Sequence, residues 1–454
     1  MRRGGLRCLF QYIHHHQPAE DDRYPARPEI LIAQPIGPLR ATFLVASNMI
    51  GSGVYLLPAT LGAFGSVSVI GWVVSGLGAF LLAAVFVLLY RIRPDSVGMV
   101  RQVRDGLGRF FGFHTSLLYW VGGWVGNVAI AVAATGYLSI FFPVLKGTTA
   151  AALCTLGVIW LMTLINFAGA RRVTEFEGGT LLIGLLPVLG VAVLGWFAFD
   201  PVVFRESWNI SGKADAQVIP ATFALIFWAF VGVESASVAA AVVRNPARDV
   251  PIATLSGVAL AASVYLAASV AISGLLPAAD LGASSAPFAD AAARWIGPAA
   301  AALVAGCAVL KAIGTLSGWV LVTAEVSRSG AVSRVFPAFF RESADGPPRR
   351  NLLIVAVLMS LIVVLSSLAP SLSARFTMLI NIATLLYLVI YAYCCAALWR
   401  FTGHRGIRFV ALLAAGFCLW AISASELQQL VYLAVLCGLG ALLYLGIRDD
   451  TVAR

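Results

Sequence analysis

A chain of 454 residues that is 60% hydrophobic and only 11% charged, with a mean hydropathy of +0.90, lacks the polar residues to coat a soluble globule. Its net charge of +10 would suit a nucleic-acid partner, but 17 of its 31 lysines and arginines fall in loops on one side of the expected helices and 5 in loops on the other. That asymmetry reports membrane topology and excludes a nucleic-acid footprint.

Residues 1–35 read as a disordered cytoplasmic tail. Met1 to Gln17 holds arginines and the run His14-His15-His16 but no apolar core of a cleaved signal, and the histidines read as solvated rather than metal-binding. The remaining region, 36–447, contains twelve apolar runs near the ~20 residues needed to cross a hydrocarbon core of about 30 Å. They lie at 41–63, 67–90, 113–141, 149–168, 178–199, 219–242, 252–275, 298–325, 352–369, 375–399, 408–424 and 428–447. The charge asymmetry puts both termini, including the short tail 448–454, in the cytoplasm. Six of the seven cysteines fall in spans and Cys8 in the tail, with neither a disulfide framework nor a zinc spacing, so no metal or other cofactor is expected.

The first span carries Ala46-Ser-Asn-Met-Ile-Gly-Ser-Gly-Val-Tyr55, with glycines at 51 and 53 where a continuous membrane helix wants none. In lipid every backbone N–H and C=O must be satisfied internally, so unwound backbone persists only where it lines a protein-buried cavity or binds something. The sixth span repeats the interruption in Phe227-Trp-Ala-Phe-Val-Gly-Val-Glu-Ser-Ala-Ser237, where Gly232 is followed by Glu234 in mid-membrane. Spans one and six are the pair that an inverted repeat of five plus five helices brings together at the midplane. The repeats run over about 41–199 and 219–399, with helices eleven and twelve at 408–447. Helix-packing glycines would explain any single one of the 43; they do not explain two breaks at corresponding positions.

Two ionisable residues stand inside spans. Glu234 costs at least about 2.5 kcal/mol to insert as an ion, so it reads as proton-linked or as a hydrogen-bonded support for the second break. Lys311, in "GCAVLKAIGTLSGW" of the eighth span, lies one helical turn before Thr315. It either holds the place of a cation and moves a proton, or snorkels, or pairs with Glu234 or a carbonyl.

The stretches "SNMIGSGVYLLPA" at 47, "LYWVGGWVGNVAI" at 118, "FWAFVGVESASVAAAVVRNPARDVPIAT" at 227 and "GTLSGWVL" at 314 resemble the amino acid, polyamine and organocation superfamily of transporters, and within it the bacterial arginine/agmatine exchangers, over roughly 36–447. The resemblance implies an all-α inner-membrane protein of twelve helices with broken helices one and six. It implies that Ser52 and Gly53, with Ile50 beside them, meet a substrate carboxylate. Trp228 and its neighbouring carbonyls, with Val231, would lie near the α-amino group, and Asn127 at the far end of a guanidinium. Trp319 would pack on the substrate side chain through a cation–π attraction of roughly 0.5–2 kcal/mol. Gly122, Gly123 and Asn381 would complete the pocket, while Glu234, Lys311 and Tyr119 would serve gating or proton coupling.

Several positions depart from those exchangers. Gly122 and Gly123 replace alanine and cysteine, Ile130 replaces methionine, Asn381 falls near a serine, and Lys311 replaces a small residue. Ser96-Val-Gly-Met-Val-Arg101 replaces an aromatic stretch tied to acid gating, so acid activation is not expected to carry over. The expected activity is exchange of extracellular arginine for intracellular agmatine, one net positive charge leaving per cycle; the alternative is a proton-coupled symporter or an exchanger of another amino acid or polyamine. The partners are then a small amino acid or amine and the bilayer. Homodimers occur in the family, though no residue here demands one. An intramembrane enzyme would want clustered carboxylates, a Ser/Lys dyad or several histidines, and no phosphate loop is present; a membrane sensor without transport would want an added output domain.

Overall fold

The computed structural model describes residues 37–452 except 52, 97, 236–242, 244, 333–334, 344–345 and 370. The expected tail at 1–35, and Ser52, lie outside the described residues. Among those described, the chain forms helices α1 (Pro38–Met49), α2 (Gly53–Gly62), α3 (Ser68–Ile92), α4 (Met99–Leu107), α5 (Arg109–Leu138), α6 (Thr148–Asn166), α7 (Ala170–Leu194), α8 (Pro201–Glu206) and α9 (Asp215–Phe227). They continue with α10 (Pro246–Leu275), α11 (Ala278–Ala283), α12 (Pro287–Trp295), α13 (Pro298–Val332), α14 (Arg349–Ser366), α15 (Leu372–Phe401), α16 (Arg405–Ser423) and α17 (Leu427–Val452).

Ten of these helices are long and apolar enough to cross a membrane, and Gly53–Gly62 and Asp215–Phe230 are shorter apolar helices. The two short ones belong to the expected first and sixth spans, so the chain is a multi-pass, all-α membrane protein of the expected broken-helix design. Apolar side chains such as Leu182, Leu303, Leu412 and Leu442 face outward, as lipid-facing residues do because the solvent there is itself apolar. Short helices in the connections were not foreseen: α4 between spans two and three, and α11 and α12 between spans seven and eight. Turns at Gly98, Gly108 and Gly169 take φ of +90°, +102° and +93°, a left-handed backbone that only glycine adopts without strain.

The inner layer is α5, α13 and α15, with α5 packed against both others; α10 packs on α1 and α3, and α7 on α13. Both breaks end on this layer. At the first, α1 stops at Ile50, whose N–H reaches the Ala46 carbonyl at 2.8 Å, and helix resumes at Gly53. At the second, α9 tightens into a 3-10 turn over Trp228–Phe230, then Gly232 takes φ +107°. Helix ends leave carbonyls without intrahelical partners. Tyr265 of α10, fully buried, shares its hydroxyl proton between the carbonyls of Met49 at 2.6 Å and Ala229 at 3.0 Å, so one side chain stitches both breaks together.

Candidate substrate site between the broken helices

A cavity of about 40 Å³ lies between the breaks. Gly51, Gly53 and Val54 line it from the first break, and Trp228, Ala229 and Val231 from the second. Gly122, Gly123, Gly126, Asn127 and Ile130 of α5, Thr315 and Trp319 of α13 and Tyr387 of α15 close it. Its volume holds a few waters rather than a diamine, so the walls are drawn in.

The glycines explain how they come so close. A Cβ on Gly53 would sit 2.3 Å from Trp228 Nε1, one on Gly126 2.7 Å from Trp228 Cη2, and one on Gly123 2.8 Å from Thr323 Oγ1. The Trp228 indole is thus held edgewise between two glycines on different helices. These are packing glycines and cavity glycines at once: lack of a Cβ is what lets the tryptophan approach the break.

No lysine, arginine, aspartate or glutamate is among the cavity's lining residues. The polar groups are the Asn127 amide, the Tyr387 hydroxyl, the Thr315 hydroxyl, which is buried and takes no partner among the described residues, the indole N–H groups and the backbone of the breaks. Three aromatic side chains, Trp228, Trp319 and Tyr387, are among its lining residues, a wall type that suits an alkylammonium.

Of the residues expected at the site, Gly53, Gly122, Gly123, Asn127, Trp228, Val231 and Trp319 are brought together here. Ile50 is buried at the first break but is not among the lining residues. Asn381 is not among those lining residues; it lines a separate cavity of about 820 Å³ with Thr60, Lys213, Gln217, Thr377 and Glu426. In a helix apolar on nearly every face, one residue cannot be assigned to the pocket by periodicity, and the α15 residue that reaches it is Tyr387, more than one turn further on. Thr60 and Thr377 meet at 3.0 Å across α2 and α15 beside that outer cavity.

Glu234 stands behind the second break. Its Oε2 accepts from the Gly232 N–H at 3.0 Å and from the Tyr391 hydroxyl at 2.6 Å, which supports the unwound backbone. Tyr119 packs edge-on against Tyr387 with ring centroids 5.5 Å apart, and Tyr387 lies 6.2 Å from Tyr391. Tyr387 of the cavity wall and Tyr391 therefore lead to Glu234, with Tyr119 packed on Tyr387.

Lys311 is buried on α13, its stem packed on Gly184 of α7 so closely that a Cβ there would lie 2.2 Å from Lys311 Cβ. It does not snorkel. Glu177 of α7 is its electrostatic partner, and the same carboxylate lies against Gly318, where a Cβ would meet Oε2 at 2.3 Å. Sequence reasoning missed Glu177 because nothing local pairs residues on different helices. Tyr55, just past the first break, hydrogen-bonds to the Gly184 carbonyl, joining this pair to the broken helix.

The profile of the amino acid permease family matches residues 36–446. The chain is 36% identical over 407 residues to the cadaverine/lysine antiporter of Escherichia coli K12, covering 88% of this chain and 91% of that protein. It is 31% identical over 419 residues to the putrescine transporters of Escherichia coli K12 and Haemophilus influenzae, covering 90% of this chain and 95% and 96% of those proteins. With two broken helices meeting at a buried cavity and a family match over nearly the whole membrane region, the chain belongs to the amino acid permease family, in the amino acid, polyamine and organocation superfamily, and is a transporter rather than an enzyme.

Proposed function

We propose that this protein exchanges a dibasic amino acid for the amine left by its decarboxylation, in a bacterial inner membrane with both termini cytoplasmic, and that lysine and cadaverine are the pair. The observation that carries the reading is the uncharged, aromatic-walled cavity between two broken helices. Half-helix ends receive the carboxylate and α-amino groups: the first break, at Ser52 and Gly53, takes the carboxylate, and the carbonyls around Trp228 take the amine. Asn127 and the Trp319 face receive the terminal cation.

Arginine and agmatine, the pair suggested by the sequence resemblance, belong to the same chemistry. Lysine and cadaverine are preferred for two reasons: a relative with 36% identity carries that name, and Asn127 offers one side-chain carbonyl, which suits a compact ammonium better than the five-donor guanidinium fork. A monovalent lysine entering for a divalent cadaverine leaving exports one net charge per cycle. Buried Glu234, with Tyr387 and Tyr391 leading to it, favours a second reading, proton-coupled uptake.

Uptake of labelled lysine into proteoliposomes separates these readings. Vesicles loaded with cadaverine should take up lysine strongly, and empty vesicles with or without an inward proton gradient should not. Loading with agmatine and feeding arginine tests the other pair. Gradient-driven uptake into empty vesicles would replace exchange with symport.

A further inference from the structure

Thr323 was not singled out by the sequence, yet it stands directly behind Asn127. It is 2% exposed on α13. Its hydroxyl donates to the Trp319 carbonyl at 2.7 Å, the back-bond to residue i−4 that helical threonines make. A hydroxyl has one proton, so that bond leaves Thr323 Oγ1 with lone pairs only. Asn127 Nδ2 lies 3.3 Å from it.

An acceptor-only neighbour sorts the two ends of an amide. The NH₂ must turn toward Thr323, and the carbonyl Oδ1 is then turned away from it. Asn127 is 1% exposed and lines the cavity, and among the described residues no group donates to its Oδ1. Gly123 makes the arrangement fit, since any side chain there would collide with the Thr323 hydroxyl. Replacing Thr323 by a residue without lone pairs would free the amide to rotate and present NH₂ to the cavity.

We infer that Thr323 is a positioning residue that fixes Asn127 as a hydrogen-bond acceptor and thereby makes the far end of the site select a donor-only group, a protonated primary amine, over a neutral side chain of the same length. The inference rests on the reading of this cavity as the site of a dibasic substrate. An ammonium has three donors and no acceptor, so it gains from a fixed carbonyl and loses from a fixed NH₂. An apolar chain end is indifferent to that choice.

The test is equilibrium binding of lysine and of its neutral isostere 2-aminoheptanoic acid, in which a methyl group replaces the terminal ammonium, to the purified, full-length protein. Wild type should prefer lysine, and Thr323→Ser, which keeps the hydroxyl, should keep that preference. Thr323→Val should lower the preference for lysine over 2-aminoheptanoic acid about tenfold by weakening lysine alone, equivalent to about 1.4 kcal/mol. Should the valine protein not fold, Thr323→Ala carries the same expectation. Equal weakening of both ligands, or an unchanged preference, would reduce Thr323 to packing and overturn the inference. Wild type that binds no dibasic ligand at all overturns the substrate reading, and this inference with it.

Discussion

The grip of two glycines on Trp228 makes a quantitative prediction. In Gly53→Ala the new Cβ would sit 2.3 Å from Trp228 Nε1 and 2.9 Å from Cδ1, against an ordinary contact of 3.4 Å or more. The indole must therefore retreat by about 1 Å, and its opposite edge already lies where a Cβ on Gly126 would be 2.7 Å away. With no room on that side, the ring moves into the cavity or the break shifts. Overpacking of this kind costs about 1–3 kcal/mol, which read as affinity is roughly 5- to 150-fold. Binding of labelled lysine to purified protein measures it, with thermal stability as the control for misfolding. Trp228→Phe removes the Nε1 edge and should relieve part of the clash, so the double variant should bind better than the sum of the singles by about 0.5–3 kcal/mol, the range of coupled neighbours. Wild-type affinity in Gly53→Ala, or strictly additive effects, would refute the account of how the indole is held.

Four further outcomes follow from the geometry. Tyr265→Phe leaves the Met49 and Ala229 carbonyls without their shared donor; at about 1–3 kcal/mol for such a loss, the melting temperature should fall and lysine affinity should weaken with it. Lys311→Met removes the positive charge that faces the half-buried Glu177 carboxylate, so the melting temperature should fall, and adding Glu177→Gln should restore part of the lost thermal stability. Glu234→Gln keeps an oxygen to accept from Gly232 and Tyr391 but cannot ionise, so the protein should fold and exchange while any pH dependence owed to that carboxyl flattens; Glu234→Ala should lose exchange outright. In the loop before α14, burial of Glu342 favours its protonated form, but the N–H groups of Arg350 and Asn351 and the Asn351 amide outweigh it and hold the carboxyl below the usual range. Its stabilisation is present above the ordinary glutamate value of about 4.3 and is lost as pH falls through the lower folded value. Glu342→Gln should therefore reduce the melting temperature at pH 6–7, and the difference should shrink steadily as the pH is lowered below about 4.

The breaks were legible in the sequence for a physical reason. Gly51, Gly53, Gly232 and Glu234 are poor choices for helix in lipid, and a residue that is costly where it stands points to backbone that is not helical. Gly122, Gly123 and Asn127 were reached through the family resemblance rather than through their pattern, and Gly126 beside them was not singled out. Which faces meet was not legible. Asn381 and Tyr387 belong to a helix apolar throughout, so register carries no signal there, and the polar residue was chosen where an aromatic one lines the cavity. Partnerships between helices were equally hidden: Glu177 for Lys311, Tyr265 across both breaks, and Thr323 behind Asn127 are set by packing alone. The helices α4 and α12 escaped because nine-residue connecting helices lack the length on which a membrane span is recognised.

The most direct test of the central claim, that the substrate sits between the broken helices, is a cryo-electron microscopy structure with cadaverine bound. The account predicts ligand density between Trp228, Trp319 and Tyr387, one ammonium on Asn127 Oδ1, and the indole of Trp228 displaced to make room. Density confined to the outer cavity beside Asn381 and Glu426, with the inner walls still drawn in, would contradict it.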